Sequence, residues 1–111
     1  AFEVINELGA GFLESVYERA MMIALRDRRI SAFSQMPLHV YFREESVGDF
    51  YADILVEQKV ILELKALKEL QPIHEAQIIN YLKATGIEVG LLLNFGNPKL
   101  EYRRYTRSKQ G

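Results

Sequence analysis

The stretch Tyr51-Ala-Asp-Ile-Leu-Val-Glu-Gln-Lys-Val-Ile-Leu-Glu-Leu-Lys65 decides the fold. Two β-rich arms flank a short polar turn, Glu57-Gln58-Lys59, and read as a hairpin. A turn centred on Gln58 sets Leu55 opposite Ile61 and Asp53 opposite Glu63. Directly opposed side chains stand about 4.5–5.5 Å apart at Cβ, and like charges placed there repel. Turn type is not readable in these three residues, so the register could slip by one. Period-two alternation puts Lys65 on the face of Glu63 and turns Val60, Leu62 and Leu64 to the other. Two carboxylates and an ammonium then meet on one patch bedded in aliphatic side chains. Uncompensated carboxylates in such a setting are costly. Lys65 offsets one charge, and a divalent cation is the simplest way to offset the rest. The plainer reading of the same three residues is a buried ion-pair cluster.

Upstream, Phe2, Val4, Ile5 and Leu8 suit a short helix over residues 2–8. Gly9-Ala10-Gly11 interrupts it, because glycine is costly inside a helix by about 1 kcal/mol relative to alanine. A second helix is expected over residues 12–28, with Leu13, Val16, Tyr17, Ala20, Met21 and Ala24 as its buried stripe. Glu14 stands at the edge of that stripe in the first turn, where the helix dipole already favours an acid. Residues 30–36 and 38–43 read as strands separated at Pro37. Glu44-Glu45-Ser46 reads as a turn, and a long strand over residues 47–56 leads into the hairpin. The arm over residues 60–64 is aliphatic apart from Glu63 and is expected to be covered on both faces.

Downstream, the pattern becomes helical. Pro72 fits a first helical turn, Ile73, Ala76, Ile79, Tyr81 and Leu82 carry the apolar signal, and Gly86 fits a C-terminal cap. His74, Gln77 and Tyr81 share one face at i, i+3 and i+7. Residues 89–95 read as an aliphatic strand, Gly96-Asn97-Pro98 as a turn, and residues 100–105 as a last, edge strand. The order is two helices, three or four strands, a helix, then two strands. It predicts an α/β or α+β sandwich with a mixed sheet.

The 111 residues fit one domain with a real core. Apolar residues are 49% and charged residues 26%, as in soluble globular chains. The absence of cysteine excludes disulfides, thiolate metal sites and cysteine nucleophiles, and fits a reducing cytoplasm. No apolar run approaches the roughly 20 residues that span a bilayer, and no stretch reads as a signal peptide, so no membrane partner is expected. The net charge of −1 excludes a globally basic nucleic-acid binder. Arg103, Arg104, Arg107 and Lys109 do concentrate positive charge near the C-terminus, either for phosphate contact or as a solvated tail.

An acid followed across a hairpin by Glu-x-Lys resembles the signature of the PD-(D/E)xK nuclease superfamily, here Asp53, Glu63 and Lys65. The following Gln77-Ile-Ile-Asn-Tyr81 is similar to the QxxxY element of its lambda-exonuclease and recombination-exonuclease branch. Gly11-Phe-Leu-Glu14-Ser-Val-Tyr17 matches the string that names the small bacterial GxxExxY family of that superfamily. Leu8-Gly9-Ala10-Gly11, Tyr51-Ala52-Asp53, Glu63-Leu64-Lys65-Ala66 and His74 to Leu82 look like that family too. The resemblance covers residues 4–95 and implies a restriction-endonuclease-like core and a nuclease that uses Mg²⁺ or Mn²⁺. It implies Asp53, Glu63, the Leu64 carbonyl and Glu14 as metal ligands. Such a hard cation takes carboxylate, carbonyl and water oxygens. Lys65 would orient or deprotonate the attacking water, or hold charge developing on phosphorus. Gln77 and Tyr81 would face the site from the later helix, and Tyr17, His74, Arg103 and Arg104 would contact substrate.

Each has a plainer role. Tyr17 and Tyr81 suit core aromatics, Gln77 a helix-surface amide, and His74 a helix-start residue with a local hydrogen bond. Lys59 and Lys68 read as surface residues. The leading expectation is a metal-dependent phosphodiesterase acting on DNA, less readily on RNA, with a homo-oligomer or protein partner to help so small a domain grip its substrate. The competing expectations are a non-catalytic nucleic-acid-binding or regulatory module on the same fold, and a metal site for another phosphate-containing substrate.

Overall fold

The computed structural model describes residues 1–107; Lys109 lies outside the described residues. Two helices, α1 (Phe2–Leu8) and α2 (Glu14–Asp27), precede the strands β1 (Ala32–Phe42), β2 (Glu45–Val56) and β3 (Val60–Lys65). Helix α3 (Pro72–Thr85) then crosses to β4 (Val89–Asn94), and β5 (Glu101–Thr106) follows. The sheet runs β1-β2-β3-β4-β5, with β3 and β4 parallel and every other pair antiparallel. This is the mixed sheet of an α+β fold.

Alternation along β3 builds two cores. Leu62 and Leu64 join Ile54, Leu93 and Phe95 beneath Val4 and Ile5 of α1 and Tyr17 and Met21 of α2. Ile61 joins Ala52 and Leu55 beneath Leu82 of α3. Helices therefore cover both faces of the central strands. The hairpin register is the one centred on Gln58, with Val56, Leu55 and Ile54 paired to Val60, Ile61 and Leu62.

Local departures from the sequence expectations have physical causes. The two strands expected around Pro37 are one strand, in which Pro37 pairs with Tyr51. β1 is an edge strand, where the missing N–H of proline is tolerated. The irregularities fall elsewhere, at Gln35 (φ 50°) and between Val40 and Tyr41. The turn before β2 sits one residue early, at Arg43 and Glu44, both left-handed (φ 51° and 69°) as tight hairpins require. Leu13 is not in the buried stripe: it occupies the N-cap of α2 and is 76% exposed. In α3 the buried side is set by Ile78 and Leu82, while Ile73 and Ala76 are exposed.

Candidate active site

The ladder between β2 and β3 stops at Ile54 and Leu62. Beyond it the strands part, and the Leu64 N–H donates to Asp53 Oδ2 at 2.8 Å instead of to a strand carbonyl. The β1–β2 ladder is also interrupted at this level, passing from the Ser34–Ile54 pair to the Met36–Ala52 pair. The skipped residues are Asp53 and the left-handed Gln35. Asp53 thus stands in a split of the sheet, its carboxylate held at the β3 backbone.

Glu63 lies on the opposite side of β3 from Leu62 and Leu64 and is buried (9% exposed). Its Oε1 has no hydrogen-bond partner among the described residues. Burial, then the charge of Asp53, pushes its carboxyl up to about 8, and Glu14 adds to the rise. Lys65 and the Asp53 backbone oppose that rise without cancelling it. Half-buried Lys65 forms no ion pair with either carboxylate among the described residues. The buried ion-pair cluster is therefore not what the structure builds. It builds an unpartnered acid oxygen beside a second acid, an arrangement that costs folding free energy when nothing binds there.

The donors suit a hard cation. Lys65 accepts the Phe95 N–H on its carbonyl at 2.8 Å, so the Lys65 backbone faces β4. Successive residues turn their peptide groups to opposite neighbours, so Leu64 faces β2, as its bond to Asp53 shows. Its carbonyl points into the split, beyond the last β2–β3 pair. Asp53, Glu63 and this carbonyl make an all-oxygen donor set. Among the described residues no three His, Asp or Glu side chains are gathered to hold a metal by themselves. Mg²⁺ takes one or two carboxylates and keeps several waters rather than entering an all-protein cage.

The other expected residues divide. Glu14, the first residue of α2, lines a cleft of about 380 Å³ with Asp53 and Leu64. Ser15, Glu18 and Gln35 complete the lining, and Gln35 Nε2 donates to Glu18 Oε1 at 2.7 Å. Neither Gln35 nor Glu18 was a candidate in the sequence. Glu18, one helical turn after Glu14, was findable; the left-handed kink at Gln35 was not. Tyr17 is fully buried and does not reach a substrate. Its ring stacks on Phe95 (centroids 4.6 Å apart), and its hydroxyl donates to the Gly9 carbonyl and accepts from the Phe12 N–H. It ties down the loop that delivers Glu14.

His74 serves its own helix: Nδ1 accepts the Gln71 N–H at 2.9 Å, closing the N-terminal cap. Gln77 is exposed, and Tyr81 is half-buried against Phe50, with ring centroids 3.8 Å apart. No hydrogen bond among the described residues joins Gln77 or Tyr81 to Asp53, Glu63 or Lys65. The two arginines separate by register. Glu63 pairs with Leu92, and Leu92 with Arg103, so Arg103 shares the face of Glu63. Arg104 pairs with Leu91, which packs against the α1–α2 core, and so points to the other face. Asn94, also unforeseen, pairs with Lys65 and is fully buried. It binds Leu67 through both amide atoms and also bonds Gly96 and Glu101. It fixes the segment leaving Lys65.

A model of the PD-(D/E)XK nuclease superfamily matches residues 1–105. No curated protein matches the chain. Among solved structures, it is similar to a protein named SSO0001 (TM-score 0.63, 15% identity, 83% of this chain and 48% of that one). It is also similar to an alkaline exonuclease, LHK-Exo, from Laribacter hongkongensis (TM-score 0.61, 11% identity, 86% of this chain and 57% of that one). The complex of LHK-Exo with dAMP gives a TM-score of 0.62 at 11% identity, over 86% of this chain and 56% of that one. The chain spans about half the length of these structures, and the likeness is one of fold.

Proposed function

The chain belongs to the PD-(D/E)XK nuclease superfamily, and from that premise we propose that it is a divalent-metal-dependent nuclease hydrolysing phosphodiester bonds of DNA. One observation carries the reading: the buried Glu63 Oε1, without a hydrogen-bond partner among the described residues, beside Asp53, with Lys65 nearby and in no ion pair among those residues. Asp53, Glu63 and the Leu64 carbonyl would hold Mg²⁺ or Mn²⁺, with Glu14 facing them from α2. A bound ion of this kind polarises a phosphate oxygen and lowers the pKa of a bound water. Lys65, in no ion pair among the described residues, would stabilise charge developing on the phosphoryl oxygens. The Asp53 carboxylate, held by the Leu64 N–H, keeps its position without waiting for a ligand.

Membership of the GxxExxY group is part of the proposal. Gly11 adopts φ 108° in the turn before α2, Glu14 opens the helix at the cleft, and the Tyr17 hydroxyl clamps the loop. The three named positions of the motif thus act together to present one carboxylate. That an exonuclease of this fold binds dAMP supports DNA as substrate.

The test is incubation with single-stranded DNA, duplex DNA and RNA in Mg²⁺ or Mn²⁺, beside Glu63→Gln and Lys65→Ala. Cleavage by the wild type, lost with chelator and in both variants, is the expected result. Cleavage unaffected by Glu63→Gln, or no metal binding by calorimetry, would overturn it. Nucleic-acid binding without either would leave a non-catalytic module on the same fold.

A further inference from the structure

A second charged feature lies beside the acidic split. An open groove of about 740 Å³ runs between the segment after β3 and the start of β5. Lys68, Asn97, Lys99, Tyr102 and Arg103 line it, with Glu69 and Glu101. We propose that this groove holds the phosphodiester backbone of a single nucleic-acid strand whose reacting phosphate lies at Asp53 and Glu63. The proposal rests on the nuclease reading and names where its substrate runs.

The charge balance favours an anion. Lys68 and Lys99 are exposed and have no carboxylate partner among the described residues. Glu101 is turned inward: its Oε1 accepts the Asn94 amide at 3.0 Å and the Leu70 N–H at 3.1 Å. Its Oε2 pairs with Arg103 Nη2 at 3.7 Å, and Arg103 Nη1 donates to the Tyr102 carbonyl at 2.9 Å. Two lysines without a carboxylate partner among the described residues therefore face solvent across one groove.

The groove is also joined to the site. Lys68 follows Lys65 by three residues, a separation of at most about 11 Å. The connection is rigid. Asn94 holds Leu67 by both amide atoms, and the Asn97 side chain donates to the Lys68 carbonyl. Arg103 shares the sheet face of Glu63 across Leu92. Lys99 and Arg103, four residues apart, can stand up to about 14 Å from each other.

Binding separates this proposal from the chemistry. A labelled thymidine strand of roughly 12 nucleotides is titrated into metal-free Glu63→Gln protein by fluorescence anisotropy, across about 50 to 200 mM salt. Adding Lys68→Ala and Lys99→Ala together should weaken binding at least about tenfold. It should also flatten the slope of log K against log salt by about 1.4, since each single-strand phosphate contact contributes about 0.7. The same charge change made with Lys59→Ala and Lys83→Ala, on a hairpin turn and on α3, should leave the slope unaltered. Matching thermal melts establish that both double variants are folded. An unchanged slope in the Lys68/Lys99 variant overturns the groove, and the nuclease reading stands if the wild type still cleaves. Displacement of the strand by millimolar inorganic phosphate would reduce the groove to a single-ion site and overturn the strand. A wild type that neither binds nor cleaves would remove both readings.

Discussion

The raised carboxyl of Glu63 makes the site measurable. Burial and the nearby Asp53 charge raise it from an ordinary 4.5 to about 8. The folded protein therefore binds one more proton than the unfolded chain between those values. By linkage, stability of the metal-free protein is lost as pH rises through that window. The fall is at most of order 4 kcal/mol. Urea titrations in chelator at pH 5 and pH 9 should show it, and Glu63→Gln should remove it and be the more stable protein at the higher pH. A wild type equally stable at both would mean that water already solvates Glu63. On the proposed reading, Mg²⁺ bound at Glu63 would displace the same proton. Its affinity should rise about tenfold per pH unit toward 8 and level off above, as calorimetry in two buffers can follow. The Asp53, Glu63 and Lys65 constellation was legible because alternation holds over a few residues. The unpaired Lys65 and the Asp53–Leu64 bond were not, since they depend on where two strands part.

Two short connections position these side chains, and each can be broken separately. After β3, Asn94 is buried and bonded to Leu67, Gly96 and Glu101. Asn94→Ala strands the Leu67 N–H, the Leu67 carbonyl and the Gly96 N–H at about 1–3 kcal/mol each. Partial solvation tempers the sum, so a loss of about 3–5 kcal/mol is expected in urea unfolding. Gly96 sits so close to this segment that an added Cβ would lie 1.8 Å from the Leu67 carbonyl oxygen. Gly96→Ala must therefore push the two backbones apart and should lower metal affinity along with stability. Before α2, Tyr17→Phe leaves the Gly9 carbonyl and Phe12 N–H without their shared hydroxyl. It should cost about 1–2 kcal/mol and weaken metal binding only through Glu14. At this scale the sequence was read well where pattern dominates, as in α1, β3 and the Pro72 start of α3. It misled where solvent decided. Leu13 fits an apolar helical stripe yet falls on the N-cap outside the helix. The α3 apolar residues follow no clean stripe, so the buried Ile78 was missed beside the exposed Ile73.

Across the molecule, burial is concentrated in the middle of the sheet and falls away along the β1–β2 arm. Ile61 to Glu63 of β3 and Leu92 to Asn94 of β4 are buried, whereas residues 41–49, through the turn between β1 and β2, are exposed throughout. The order of elements was legible because chain connectivity and the change from period two to helical spacing are written locally. The length of the arm was not, since Pro37 read as a break where an edge strand tolerates it. The arm extends past β3, which pairs with β2 only over Ile54–Val56. Leu38 and Phe50 still pack against α3, but beyond them the exposed end over residues 41–49 rests on β1–β2 pairing, and a two-stranded ribbon is marginal in water. Opening free energies should follow this layout. In native-state hydrogen exchange, amides of Ile61, Glu63 and Leu92 should exchange only through global unfolding, with full denaturant dependence. Those of Val40, Ser46 and Gly48 should exchange through local opening, at least about a hundredfold faster and insensitive to low denaturant. Mg²⁺ added at pH 8 should slow the first group by stabilising the folded state as a whole. It should leave the second untouched, because the arm can open without disturbing Asp53 or Glu63. Equal slowing in both groups would show that the arm and the acidic split open as one unit.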